Sequence, residues 1–196
     1  LVTIGEDRFI VVPEGNDVPQ NTEGATVIRQ PLSNIYVAAS SAMDLFDAAG
    51  GLGKVTMTST SADSWSLPNI RSAVSSGEIE FIGKYSSPDY ETLVSQNCGL
   101  AVESTMIYHS PKVKEQIQEL GIPVIVERSS YETHPLGRME WIKLYGLLLG
   151  DLDPAKERFD EKIKAFEELP DIDIPENERK TAAFFYITSN GYASIR

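Results

Sequence analysis

The 196-residue chain has 41% hydrophobic and 23% charged residues, a balance that excludes disorder and fibres and suits one generous domain or a lobe with an appendage. Twenty-nine acids against 17 bases leave a formal charge of −12, which repels phosphate backbones and disfavours nucleic acid as a partner. The single cysteine, Cys98, permits neither an internal disulfide nor a cysteine-cluster metal site, and no apolar run approaches the ~20 residues of a membrane-spanning helix. No secretory leader pattern is visible, but the first residue is Leu1 instead of Met, so that silence says little about targeting.

In chain order, Val2-Thr3-Ile4 and Phe9-Ile10-Val11-Val12 flank a polar turn and predict a hairpin over residues 1–12. Residues 13–25, with Pro13, Gly15, Pro19 and Gly24, read as a loop. Val27-Ile28 and residues 35–38 are short strands, and 41–46 carries helical spacing stopped by Gly50-Gly51. A rhythm follows: strand 54–57, helix 67–74, strand 79–82, helix 88–97 with Ser87 as its cap, strand 100–103, helix 111–120 and strand 122–126. Apolar strands without polar alternation, separated by helices, predict an α/β fold: a parallel sheet buried on both faces by helices. Residues 135–149 form a helix with a wide apolar surface ending at Gly150. Residues 151–180 hold 11 acids and 6 bases, read as a surface helix over 154–169 and an acidic linker. Residues 182–187 supply one more apolar strand, without an evident local partner.

Few residues select a chemistry. There is no G-x-S-x-G elbow, and His109 and His134 are the only histidines, so nothing designates a hydrolase nucleophile. The run Gly50-Gly51-Leu52-Gly53-Lys54 resembles a phosphate loop but lacks its spacing and precedes a strand, so a helix stop is the better reading. A metal-site enzyme or metallochaperone using His109, Glu103 and Glu127 is the rival from another class, although solvated or capping histidines fit the spacing better. The most informative group comes from the parallel sheet itself, whose loops gather on one edge where such sheets bind ligands. Those loops offer Thr58 to Ser61 with Trp65, then Tyr85, then Glu103, Ser104 and Thr105, and finally Arg128, Ser129 and Tyr131. Hydroxyls, rings and a cation suit a flat, polar-edged small molecule.

The segment from Tyr85 through Pro88, Glu91 and Leu93, then the strand at 100–103 and Glu119-Leu120-Gly121-Ile122-Pro123-Val124, resembles the substrate-binding proteins of ABC importers for iron–siderophore, haem and cobalamin complexes. Glu127 to Glu132 and Gly137 to Gly146 resemble the same group. The resemblance implies two α/β lobes joined by a stiff helix, with residues 1–134 the first lobe, 135–150 the connector, 151–180 an acidic helix and linker, and 181–196 the first strand of a largely absent second lobe. It implies a non-enzymatic, extracytoplasmic carrier in the cell envelope, a lipoprotein or periplasmic, with no permanent cofactor. The implied transported ligand is an Fe(III)-chelate, foremost an iron–siderophore, with a cobalamin or haem carrier of the same family as the alternative, and the implied partner is an ABC permease. Glu91 matches the acidic residue that docks on the permease. Trp65, Tyr85, Glu103, Ser104, Thr105, Arg128, Ser129 and Tyr131 form the expected ligand wall. Strand exchange or dimerisation through 181–196 is a further expectation.

Overall fold

Five strands, all parallel, form the central sheet of the computed structural model, which describes residues 1–170, 175–188 and 190–195. The chain begins with β1 (Val2–Ile4) and β2 (Asp7–Val12), an antiparallel hairpin turned at Gly5, where φ is +60°. β3 (Thr26–Arg29) joins β2 in parallel to complete a small three-stranded sheet. β4 (Ile35–Val37) starts the main sheet and runs into α1 (Ser40–Ala48), which ends at Gly50 in a left-handed conformation. The glycine run therefore stops a helix and leads through a turn at Leu52–Lys54 into β5 (Val55–Thr58). The Leu149 side chain packs directly on Gly51.

α2 (Pro68–Ser76) leads to β6 (Glu80–Phe81), a much shorter strand than the apolar run 79–82 predicts. β7 (Gly83–Lys84) and β8 (Ser87–Pro88) then pair as a tight antiparallel turn. Ser87 thus belongs to a strand, and the cap of α3 (Tyr90–Ser95) is Asp89. The Asp89 carboxylate accepts the Glu91 and Thr92 N–H groups at 2.9 and 3.2 Å and the Thr92 hydroxyl at 2.9 Å, bonds that hold it below the usual carboxyl range, the Thr92 hydroxyl first. β9 (Leu100–Ser104), α4 (Pro111–Glu119) and β10 (Val124–Glu127) complete the layer in the order β10-β9-β4-β5-β6.

Alternation along the strands divides the core between two faces. Ile35, Val37, Val102 and Ile125 pack on one face with Met43 and Phe46 of α1, Ile70 of α2 and the small sheet's Phe9 and Ile28. Tyr36, Ala101, Val124 and Val126 pack on the other with Leu93 of α3 and Val113 and Ile117 of α4. Helices cover both faces, as the uninterrupted apolar strands require.

Residues 135–149 do not form the single rod expected. α5 (Pro135–Glu140) and α6 (Ile142–Leu149) are separate helices meeting at Trp141, whose indole N–H donates to Glu132 Oε1 at 2.9 Å. His134 caps α5, its Nδ1 accepting the Leu136 N–H at 3.1 Å. Phe46 and Tyr145 meet edge to face, ring centroids 4.6 Å apart, seating α6 on α1. Gln30 donates to Leu147 and Leu148 carbonyls at 2.6 and 3.0 Å and closes the end of α6. α7 (Asp153–Glu167) buries Ala155 and Phe159.

The chain divides into two compact units, Leu1–Lys164 and Ala165–Arg196. Within the second unit β11 (Phe185–Ile187) pairs with β12 (Ala193–Ile195) as an antiparallel hairpin, so the strand expected to lack a local partner has one.

Candidate functional site at the carboxyl edge of the sheet

The five parallel strands send their carboxyl ends, and the loops after them, to one edge. Winding starts at β4, proceeds through β5 to β6, then crosses back to place β9 and β10 on the other side. The boundary between β4 and β9 is therefore the switch point, where an open α/β sheet forms its ligand crevice. The Ala38 and Ala39 N–H groups both donate to Val102 O across it, at 2.8 and 3.3 Å, leaving Ser40 and Ser41 on one side and Ser104 and Thr105 on the other.

Four predicted residues come together on the adjoining strand ends. Ser104 ends β9 opposite Glu127 of β10, and its hydroxyl accepts the Met106 N–H at 3.3 Å, capping the turn that follows. Thr105 Oγ1 lies 3.2 Å from the Tyr131 hydroxyl. The Arg128 guanidinium stands 5.7 Å from the centroid of the Tyr131 ring, and that ring is 63% exposed. A cation over an exposed ring, edged by hydroxyls, offers an anionic ligand both charge and a flat surface.

The same turn displays two residues the sequence reading passed over. Met106 and Tyr108 are half exposed on either side of buried Ile107. Their signal was present in the sequence as large apolar side chains flanking the one that enters the core.

Other predicted residues do not join this group. Trp65 is in the core, its indole N–H donating to Thr60 O at 3.1 Å, while Arg71 holds the Trp65 carbonyl at 2.6 and 2.9 Å. The loop thus folds inward, and the ring is spent on packing instead of on a ligand. Ser129 is fully buried, its N–H donating to Glu127 Oε1 at 2.6 Å. Tyr85 lies on the β7–β8 turn, half-buried against the second core cluster, beyond β6 and three strands along the edge from β9. Glu91 is exposed in the first turn of α3. A hollow of about 320 Å³ between β1 and the α5–α6 pair is lined by Val2, Ile4, Glu132, Trp141 and Leu144 and holds none of the predicted ligand residues.

Glu103 is buried, and neither carboxyl oxygen has a hydrogen-bond partner among the described residues. Burial pushes its pKa up to about 8. It shares a face with Tyr36, whose buried hydroxyl is also unpartnered and whose ionisation is suppressed by burial first and by Glu103 second. Glu127, one register position away, faces the opposite side of the sheet. His109 is exposed at the end of the turn after β9. Glu103 and Glu127 therefore cannot converge with His109, and among the described residues no three His, Cys, Asp or Glu side chains are grouped to hold a metal ion. The metal-site alternative fails on the alternation of the strands.

No protein-family model matches the chain. It is 25% identical over 143 residues to an uncharacterized lipoprotein of Methanocaldococcus jannaschii, covering 70% of this chain and 34% of that protein. Among solved structures it is similar to the periplasmic haem-binding protein HutB of Vibrio cholerae, with TM-score 0.60 and 18% identity over 83% of this chain and 58% of that one. It is also similar to the petrobactin-binding protein YclQ from Bacillus subtilis, with TM-score 0.54 and 15% identity over 69% and 45% of the two chains. The iron-uptake ABC transporter substrate-binding protein PiuA from Streptococcus pneumoniae gives TM-score 0.52 and 15% identity over 70% and 45%. The chain thus spans about a third of its curated relative and about half of these solved structures. Over 69–83% of its length the chain shares the fold of about half of each of these solved binding proteins.

Proposed function

We propose that the chain supplies one wall of an extracytoplasmic solute-binding protein that captures a metal-chelate nutrient, foremost an iron–siderophore complex, and delivers it to an ABC permease. The observation that carries this reading is the group Thr105, Arg128 and Tyr131 at the carboxyl edge beside the switch point, built on the fold of haem- and iron-complex binders. Arg128 takes an anionic group of the chelate, Tyr131 and Tyr108 take its flat or apolar parts, and Ser104 and Thr105 border the contact. The metal arrives already chelated and leaves with its ligand, so the protein acts by binding and release, not by catalysis. The lipoprotein relative and the periplasmic solved relatives support a place in the cell envelope. Glu91, exposed at the start of α3, is the permease-docking residue.

The test is a titration of the chain with ferric enterobactin, ferric citrate, haemin and cyanocobalamin, followed by intrinsic fluorescence. One chelate is expected to bind at one equivalent, and the Arg128→Ala, Tyr131→Ala double variant to bind it at least ~30-fold more weakly, the combined scale of a charged contact and a stacked ring. Its far-UV circular dichroism should match the parent's, since Tyr131 is exposed and Arg128, half-buried against Gly5, lies outside the core clusters. Tight binding of free Zn²⁺ or Mn²⁺ without any chelate, or undiminished binding by the double variant, overturns the reading. Glu91→Ala should leave chelate affinity unchanged and slow uptake in cells that carry the importer; lost chelate binding instead would remove the docking role.

A further inference from the structure

Glu127 closes β10 on the face opposite Glu103, and its surroundings are the inverse of that residue's. It is 2% exposed, yet both oxygens are engaged: Oε2 accepts the Ser41 hydroxyl at 2.6 Å and Oε1 accepts the Ser129 N–H at 2.6 Å. Ser41 lies in the first turn of α1, immediately after the switch-point strand β4, and Ser129 opens the turn that carries Tyr131. The carboxyl thus ties the loop after β10 to the helix after β4, reaching past the end of β9, which lies between them in the sheet. Within the loop, the Tyr131 N–H donates to Arg128 O at 2.9 Å and the Glu132 N–H to Ser129 O at 3.1 Å. That closure leaves the Tyr131 ring exposed with its hydroxyl beside Thr105, and sets Arg128, half-buried against Gly5, next to that ring. Tyr145 of α6 faces the same carboxyl, its phenol held well above the usual range by burial first and by Glu127 second.

We propose that Glu127 is a positioning residue of the ligand site: it touches no ligand, but it fixes the loop so that Arg128 and Tyr131 are placed before binding. The inference rests on the reading that Arg128 and Tyr131 grip the chelate. Its physical basis is separate, because a loop ordered in advance spares the complex the entropy of ordering it. Two short hydrogen bonds to a buried acceptor are the strongest restraints on that loop, and each runs to a different element.

Ser41→Ala removes one of these bonds, and Glu127→Gln keeps the shape but leaves only one acceptor oxygen for two donors. In both variants amide hydrogen exchange at Ser129 and Tyr131 is expected to rise about tenfold, and affinity for ferric citrate or haemin, whichever the parent binds, to fall about tenfold, or 1.4 kcal/mol. Ser41→Thr, which retains the hydroxyl, should restore both. The urea midpoint of Ser41→Ala should fall, because a buried carboxyl oxygen loses its donor. Positioning is separated from general loosening by where exchange rises: at Ser129 and Tyr131, with the amides of β4 and β9 rising only by the global loss of stability. Unchanged exchange in both variants overturns the proposal, as does raised exchange with parent affinity for the chelate. Raised exchange in a chain whose parent binds neither chelate supports the bracing and overturns only the functional reading.

Discussion

Glu103 shows how much a single buried carboxyl can govern. With no partner for either oxygen, it is held by an environment that favours its neutral form, and its pKa rises from 4.5 to about 8. Between those values the folded state binds a proton that the unfolded state has released, so stability falls as pH rises through that window. The full loss, about 5 kcal/mol as an upper figure, is present above pH 8 and absent below pH 4.5. Glu103→Gln should flatten this dependence, with little change in urea midpoint at pH 5 and a clear gain at pH 9; a variant that follows the parent at both pH values would show that Glu103 is relieved by another partner. The sequence placed Glu103 among loop residues, where an acid after an apolar strand is ordinarily solvated. Nothing in the spacing tells a reader that the strand extends through Ser104 and that alternation turns this side chain inward. Trp65 was misplaced for a related reason. A tryptophan in a Ser- and Thr-rich loop reads as a ligand platform, and only the Arg71 bonds to its carbonyl reveal that the loop folds under. The place of Thr105, Arg128 and Tyr131 at the carboxyl edge was legible because Thr105 and Arg128 directly follow parallel strands and Tyr131 ends the short turn after β10.

At the scale of elements, the alternation of apolar strands with capped helices was enough to predict the layered architecture, since burial on both faces leaves few other solutions. The break at Trp141 was not legible. No proline or glycine stands at it, and apolar residues continue at helical spacing on both sides; the feature found there is a side-chain bond from Trp141 to Glu132, which spacing does not announce. A glycine five residues later has a packing role instead. A Cβ on Gly146 would stand 2.6 Å from Ala155 Cβ and 3.0 Å from Asp151 O, so α6 and the start of α7 approach each other only because that position is bare. Gly146→Ala is expected to destabilise by roughly 1–3 kcal/mol, overpacking outweighing the ~1 kcal/mol that alanine brings to a helix. Gly53, with nothing within 4 Å of its would-be Cβ, supplies the control: Gly53→Ala should shift the urea midpoint by little. Equal midpoints for the two variants would mean that the α6–α7 contact relaxes without cost.

For the whole molecule, charge and apolar surface pull in opposite directions. The formal charge of −12 repels a second copy, while Phe184, Phe185, Ile187 and Tyr192 in and around the β11–β12 hairpin are 61–78% exposed. A two-stranded hairpin is marginal by itself, and one with large exposed side chains gains by covering them. Self-association through this hairpin, an expectation raised by the sequence, now rests on a different premise: the driving force is exposed apolar area, not a strand without a partner. Repulsion between copies acts through water and is screened by salt, with a Debye length of about 30 Å at 0.01 M and 3 Å at 1 M. Burial of apolar area is not weakened by salt in that way. Association should therefore strengthen as ionic strength rises, the reverse of what a charge-driven dimer does. Sedimentation velocity at 10 mM and 500 mM NaCl should show a larger species growing with salt and with protein concentration, and Phe185→Ser with Ile187→Ser should abolish it. A monomer under both conditions, or a dimer that dissociates as salt is added, would place the driving force elsewhere.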